Sequence, residues 1–186
     1  RYKQDKNDDD TKRKKFDESF SDKSSDDEIK KNVGDLPEAI DDFENMNFLS
    51  NELFMGICAY GFKYPSQIQS KTIHIINSGC DLIAQSQSGT GKTGAFTIGS
   101  LSRIKIAKRY PQTIIVANTR TLACQIMKVI ENIAVNMKIN VCLCVGGKNS
   151  NTYENMRQAK NSHVLVGTPG RIGDLISRKA FRGERI

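Results

Sequence analysis

The chain has 186 residues, with 28 Lys and Arg against 21 Asp and Glu, a formal charge of +7, and 38% apolar residues without a Trp. That length is a prior of one to one and a half domains, and the apolar share falls below the ~45–50% usual for a globular domain. No stretch approaches the ~20 consecutive apolar residues of a membrane-spanning helix, so no membrane partner is expected. No apolar leader follows Arg1, so a secretory signal is not expected either. Five Cys without a C-x-x-C pair read as reduced thiols of an intracellular protein rather than a disulfide framework or zinc site.

Charge divides the chain in two. Residues 1–40 hold ten basic and twelve acidic side chains, a net of −2, and the remainder a net of +9. The first block mixes Asp8–Asp10 with the basic run Lys12–Lys15 and has few core-forming residues. Such a segment buries too little apolar surface to offset chain entropy and is expected to be disordered. The basic run reads as a solvated tail or a localisation signal. The basic remainder, residues 41–186, favours a polyanionic partner without naming it.

Residues 50–60 place Leu53, Phe54, Ile57 and Tyr60 at helical spacing, and Gly61 ends that helix. Pro65 opens a second helix that closes at Asn77-Ser78-Gly79. A short strand is expected over Asp81–Gln85, then a glycine-rich turn and a helix from Lys92. Thr113–Ala117 reads as a strand buried on both faces. Residues 121–136 form a helix with Leu122, Ile126, Val129, Ile130 and Ile133 inward. Asn140–Val145 and His163–Val166 are strands, and Thr152–Lys160 and Arg171–Ser177 are helices. Four strands alternating with helices define an α/β fold with a parallel sheet.

The densest chemistry is Ser86-Gln87-Ser88-Gly89-Thr90-Gly91-Lys92-Thr93. It lies between a strand and a helix, the setting of a phosphate-binding P-loop. Glycines let successive N–H groups curl toward one phosphate, and the helix N-terminus adds partial positive charge. Lys92 supplies a full charge to the β- and γ-phosphates, and the Thr93 hydroxyl suits Mg²⁺.

Other groups are open on chemistry alone. Gln69, behind Pro65, is a helix-surface amide or a reader of adenine, whose N6 and N7 an amide side chain matches. Gly146-Gly147 is a turn or a close approach to a phosphate chain, and Thr168-Pro169-Gly170-Arg171 is a helix start or an anion-binding helix terminus. Cys142 and Cys144, two apart on a strand, read as core thiols. His74 and His163 have no nucleophile or carboxylate at motif spacing. Lys105, Lys108 and Arg109 read as favouring a helix C-terminus and solvent.

Taken in order, Phe43, Gly61-Phe62-x-x-Pro65-x-x-Ile68-Gln69, Ala84–Thr93, Thr119-Arg120-x-Leu122-Ala123, Gly146-Gly147 and Thr168–Arg171 resemble the N-terminal RecA-like half of a DEAD-box RNA helicase. The resemblance covers roughly residues 41–186 and is greatest to the initiation factor 4A branch. It implies a P-loop parallel sheet flanked by helices, with ATP and Mg²⁺ as cofactors and single-stranded or duplex RNA as partner. It also implies protein partners in translation or RNA processing, and a cytoplasmic location with a nuclear alternative. Gln69 and Phe43 would read and stack on adenine. Ser88, Gly89, Thr90, Gly91, Lys92 and Thr93 would hold the triphosphate and metal, Lys92 and Thr93 taking part in catalysis. Thr119, Arg120, Gly146, Gly147, Thr168, Gly170 and Arg171 would line a groove for the RNA backbone, read without base specificity.

The chain departs from the family pattern at Ser86 (usually Ala), Asn118 (Pro), Thr121 (Glu) and Lys148 (Thr). The spacing from Phe43 to Gly61 is one residue longer. The residues contain no Asp-Glu-Ala-Asp sequence, so the fold is expected to stop before the strand that carries it. These 186 residues alone are then expected neither to hydrolyse ATP appreciably nor to unwind RNA, since phosphoryl transfer needs every charged part in place. The alternative is an ATP-gated RNA clamp that does no unwinding.

Overall fold

In the computed structural model, helix starts follow local capping chemistry. The structure describes residues 38–147, 152–181, 183 and 186, with the side chain of residue 152 excepted. Residues 1–37 of the charged N-terminal block, the Lys12–Lys15 run among them, and Lys148 lie outside the described residues. After a single turn of 3₁₀ helix at Phe43–Asn45, the Ser50 hydroxyl accepts the Leu53 N–H at 3.3 Å and opens helix α1 (Asn51–Ala59). Helix α2 (Gln67–Ser78) begins two residues after Pro65 and ends on Gly79 at φ +83°, the left-handed position that glycine alone takes without strain. Helix α3 (Lys92–Leu101) starts from Gly91 at φ +103°.

Strand β1 (Thr113–Val116) then leads into helix α4 (Arg120–Ile133), whose first turn is capped by Thr119. Strand β2 (Val141–Cys144), helix α5 (Thr152–Lys160), strand β3 (Val164–Gly167) and helix α6 (Pro169–Ser177) complete the order. The three strands are parallel in the order β1-β3-β2. Gly167 is in register with both Val116 and Cys144, so all three strands end at one level.

Side-chain alternation divides the core. Val164 and Val166 of β3 join Ile126, Ile130 and Ile133 of α4 and the buried faces of α1, α2 and α3 on one side of the sheet. Leu165, Cys142 and Cys144 join Ala159 of α5 and Ile172 and Leu175 of α6 on the other. Helices therefore cover both faces, as a parallel sheet requires. Two glycines permit the closest approaches. A Cβ on Gly56 would lie 1.8 Å from the Ile133 carbonyl oxygen, locking α1 to α4, and one on Gly167 would lie 2.0 Å from the Cys144 carbonyl oxygen.

The α/β parallel-sheet reading stands, with differences in burial, strand number and helix α4. Strand β1 is not buried on both faces: it is half-buried and Val116 is 55% exposed, because among the described residues β1 is an edge strand paired only with β3. Asp81–Gln85 is extended but is not a strand, and Ile83 is 99% exposed. A strand exists only through a ladder, and among the described residues β1, β3 and β2 pair only with one another. The sheet thus has three strands, not four. Helix α4 begins at Arg120 and ends at Ile133, and its inward stripe is Ala123-Ile126-Ile130-Ile133. Leu122 is turned outward, because the 3-4-3 spacing of the stripe runs through its neighbour.

Candidate nucleotide and RNA-backbone site

The segment between the extended residues 81–85 and α3 turns on two glycines in the left-handed region, Gly89 at φ +82° and Gly91 at φ +103°. Among the described residues the backbone N–H groups of Ser88, Gly89 and Gly91 donate no hydrogen bond. The first N–H groups of α3 follow directly, and a helix start leaves such donors without intrahelical partners. The Lys92 ammonium folds back over this concavity and donates to the carbonyl oxygens of Ser86 and Gln87, with the Ser86 hydroxyl 3.3 Å away. The Thr90 hydroxyl donates to the Gln87 carbonyl at 2.9 Å, so its 2.6 Å partner Ser86 is the donor in their mutual bond. Thr93 is half-buried in the first turn of α3. Free N–H donors, an ammonium and a hydroxyl at a helix start form a donor set that fits a polyphosphate with its divalent cation.

Helix α2 brings Gln69 against this loop. Its side-chain carbonyl accepts the Ser66 N–H at 2.9 Å and its amide donates to the Gly91 carbonyl at 3.2 Å. The fit is tight: a Cβ on Gly91 or Gly94 would come within 2.8 or 2.5 Å of the Gln69 amide nitrogen. Gln69 is 2% exposed, so its amide is a strut between helix α2 and the phosphate loop.

Phe43 differs from expectation. It is buried in the core and stacks on Phe62 at 6.5 Å between ring centroids, so neither of its faces is offered to a base. The packing of the 3₁₀ turn beneath α1 and α2 draws the ring inward.

The common level of the three strand ends gathers the remaining motifs along one edge of the sheet, where open α/β sheets place their ligands. Beyond β1, the Thr119 hydroxyl caps α4 by accepting the Leu122 N–H at 3.1 Å, and Arg120 is exposed. Beyond β2, Gly146 and Gly147 lie under the Arg120 guanidinium, which would be 3.9 and 3.4 Å from a Cβ at those positions. Beyond β3, Thr168 precedes α6, its N–H tied to the Cys144 carbonyl at 3.0 Å. Gly170 is exposed, with open space where a side chain would project.

Arg171 requires a correction, because its side chain is only 9% exposed. It binds Asp174 one turn along α6 at 2.8 Å and donates Nε–H to the Asn155 side-chain oxygen at 3.3 Å. Asn155 in turn donates to the Leu143 carbonyl at 2.9 Å. The guanidinium therefore braces α6, α5 and β2 from inside the edge rather than facing outward. Sequence reasoning passed over Asn155, which belongs to none of the quoted motifs; its only signal is its place on the helix after the double glycine.

Beneath the edge the Cys142 and Cys144 sulfurs lie 3.9 Å apart and are buried. The contact with Cys142, with burial adding to it, pushes the Cys144 thiol well up, which keeps it protonated and fits the core reading. His163 is also structural: its Nδ1 accepts the Asn140 N–H at 2.9 Å and its Nε2–H faces the Ile106 carbonyl at 3.1 Å.

A helix-flanked parallel sheet with a glycine-turned phosphate loop ahead of α3, and hydroxyl, glycine and Arg groups along its carboxyl edge, defines a RecA-like nucleotide-binding unit. The family model for DEAD/DEAH box helicases matches residues 66–185, and the chain belongs to that family. It is 45% identical over 148 residues to the ATP-dependent RNA helicase eIF4A of Mycosarcoma maydis, covering 79% of this chain and 35% of the relative. It is 45% identical over 150 residues to eukaryotic initiation factor 4A of Drosophila melanogaster, covering 80% and 36%.

Among solved structures, a DEAD box protein from the hyperthermophile Methanococcus jannaschii superposes with a TM-score of 0.72 at 29% identity, covering 80% of this chain and 40% of that one. Saccharomyces cerevisiae Dbp5 bound to RNA and ADP BeF3 superposes with a TM-score of 0.68 at 36% identity, covering 79% and 37%. The chain thus spans little more than a third of the length of the two relatives, 35% and 36%.

Proposed function

We propose that residues 41–186 form the ATP-binding unit of an ATP-dependent RNA helicase of the initiation factor 4A type, with residues 1–40 an appended charged segment. The observation that carries this reading is the phosphate loop itself, with free N–H donors on Ser88, Gly89 and Gly91 beside Lys92 and Thr93. ATP enters when the Lys92 ammonium exchanges the Ser86 and Gln87 carbonyls for β- and γ-phosphate oxygens. Thr93 then offers its hydroxyl to Mg²⁺, which when bound neutralises phosphate charge. Gln69 trades its bond to Gly91 for the adenine edge, which couples base recognition to the shape of the loop.

RNA lies along the carboxyl edge, its phosphates met by Arg120, the Thr119 and Thr168 hydroxyls and the backbone at Gly146, Gly147 and Gly170. Such contacts carry no base preference and make binding salt-dependent. Arg171 holds this edge in shape from within. ATP and RNA favouring one arrangement of the complete protein would strengthen each other's binding. The resemblance to initiation factors supports work on messenger RNA in the cytoplasm with protein partners of the translation machinery.

The test is binding of a fluorescent ATP analogue with Mg²⁺ to the 186-residue chain. Competition by ATP but not GTP, and loss of binding of about 100-fold in Lys92→Ala, are expected. Unchanged affinity in Lys92→Ala overturns the reading.

A further inference from the structure

The carboxyl edge accounts for Arg120, but a group of cations without ion pairs among the described residues lies at the opposite edge, one of them, Lys108, with its ammonium 6.0 Å from the Tyr110 ring centroid. Parallel topology brings three loops there, one entering each strand. The loop before β1 carries Lys105, Lys108 and Arg109, the loop before β2 carries Lys138, and α5 ends on Lys160 just before β3. All five are exposed, and none forms an ion pair among the described residues. No Asp or Glu occurs from residue 82 to residue 130. Of the acids, Glu131 lines a groove of about 590 Å³ with Asn140, Arg157 and Asn161, Glu154 is spent on Arg157 at 3.4 Å, and Asp81 lies two residues past Gly79, which sits against the Arg103 guanidinium.

Helix-dipole compensation does not explain the cations of the first loop. Helix α3 ends at Leu101, and the dipole's influence fades beyond the last turn. Arg103 does serve a helix end, donating to the Asn77 carbonyl of α2 at 2.7 Å. Lys105, Lys108 and Arg109 lie farther on, in a loop whose backbone is fixed from inside. The Gln112 side chain accepts the Lys105 N–H at 2.9 Å and donates to the Lys105 and Lys108 carbonyls at 3.0 and 2.9 Å. His163 anchors Ile106 at 3.1 Å. The loop backbone that carries the three cations is thus already ordered, which spares binding the backbone share of the ordering cost.

We propose that this amino edge of the sheet is a second contact for the RNA phosphate backbone, engaging a stretch of strand outside the motif-lined groove. The inference rests on the RNA reading above and extends it. Adjacent strands are ~4.8 Å apart, so the three loops form one row of charge. The ten-residue helix α3, rising ~1.5 Å per residue, separates this row by ~15 Å from the phosphate loop, so the two sites do not compete. An acidic protein partner fits less well: Ile106 and Val135 are exposed beside these cations, but among the described residues no aromatic side chain is exposed with them, and protein interfaces centre on buried aromatic or Arg anchors.

The experiment measures anisotropy of labelled oligouridine strands of about 8 and about 30 nucleotides with the 186-residue chain over a salt series. Lys105→Glu/Lys108→Glu/Arg109→Glu is expected to weaken the long strand at least tenfold and to flatten its salt slope by about 2, at ~0.7 per phosphate contact. Short-strand and ATP-analogue binding should hold. Lys138→Glu/Lys160→Glu should act in the same direction. Wild-type affinity and slope for the long strand in the triple variant would overturn the proposal. So would a polyglutamate chain of equal charge binding the wild type as tightly as RNA and losing that affinity in the variant, which would mark a protein-docking face. Arg120→Glu reports separately on the carboxyl edge: if it leaves the short strand bound, the earlier groove assignment fails while the long-strand comparison still decides this one.

Discussion

The Gln69 amide lies 3.2 Å from the Gly91 carbonyl oxygen, where helix α2 meets the phosphate loop. The same side chain accepts the Ser66 N–H at 2.9 Å, so one buried amide ties a helix start to the turn proposed to hold phosphate. Gln69→Glu keeps the acceptor and loses the donor, placing a buried carboxylate against a carbonyl. We expect a loss of about 2 kcal/mol in stability and at least tenfold weaker binding of the ATP analogue, read by thermal melting and anisotropy. Binding equal to wild type would remove Gln69 from the nucleotide site.

Ser86 is a departure that the loop puts to use. Its hydroxyl bonds Thr90 at 2.6 Å and lies 3.3 Å from the Lys92 ammonium, favouring the form in which the loop binds its own lysine. Ser86→Ala removes those bonds from that form only. Nucleotide affinity is expected to rise about threefold to tenfold, a neutral hydrogen bond being worth ~1 kcal/mol. Weaker binding in titration would show that the hydroxyl serves the ligand instead.

The Asn155–Arg171–Asp174 brace makes the RNA edge sensitive to residues that do not face it. Asn155→Ala should weaken binding of a short RNA strand severalfold while leaving the ATP analogue unaffected. Asp174 also carries a pH signature: its bond to Arg178, with the Arg178 and Arg171 charges, holds its carboxyl below the ordinary value of 3.8. A depressed folded value contributes stability that is present above the unfolded value and is lost as pH falls through the folded one. Melting of Asp174→Asn should therefore approach wild type only as pH falls below the ordinary value of 3.8.

His74 on α2 follows the same linkage with the same sign, in a higher pH window. Burial holds its imidazole below the ordinary value of 6.5, against a smaller raising effect from the Ser70 carbonyl. Between the folded and unfolded values the unfolded chain binds more protons, so stability falls as pH drops below about 6.5. His74→Gln should flatten that part of a melting-temperature profile between about pH 7.5 and 5. An unchanged profile would assign the slope elsewhere.

Gly56 tests the packing of α1 on α4. The added methyl of Gly56→Ala would meet the Ile133 carbonyl, a main-chain atom that cannot rotate away. A loss of about 3 kcal/mol in urea unfolding is expected, against a gain of up to about 1 kcal/mol for Gly173→Ala, an exposed position inside α6 where a Cβ meets open space.

Local chemistry made much of this protein legible in its sequence. Helix starts at Ser50, Gly91 and Thr119 and the stop at Gly79 depend on residues within one turn of the boundary, and the phosphate loop depends on two glycines and the helix that follows. The apolar runs at 113–116, 141–144 and 164–167 likewise declared strands, but burial on both faces, expected of 113–117, is found only in 164–167, because β3 is the central strand. What tertiary structure alone decided was pairing and direction. Asp81–Gln85 has a strand's composition, yet it stays extended without a ladder because its partners are not given by its own residues. Phe43 and Arg171 were legible as side chains with the right chemistry, but packing turned both inward, the ring onto Phe62 and the guanidinium onto Asn155 and Asp174. The amino-edge cations are scattered from Lys105 to Lys160 in sequence; only a parallel sheet, which returns every strand to the same end, brings them into one row.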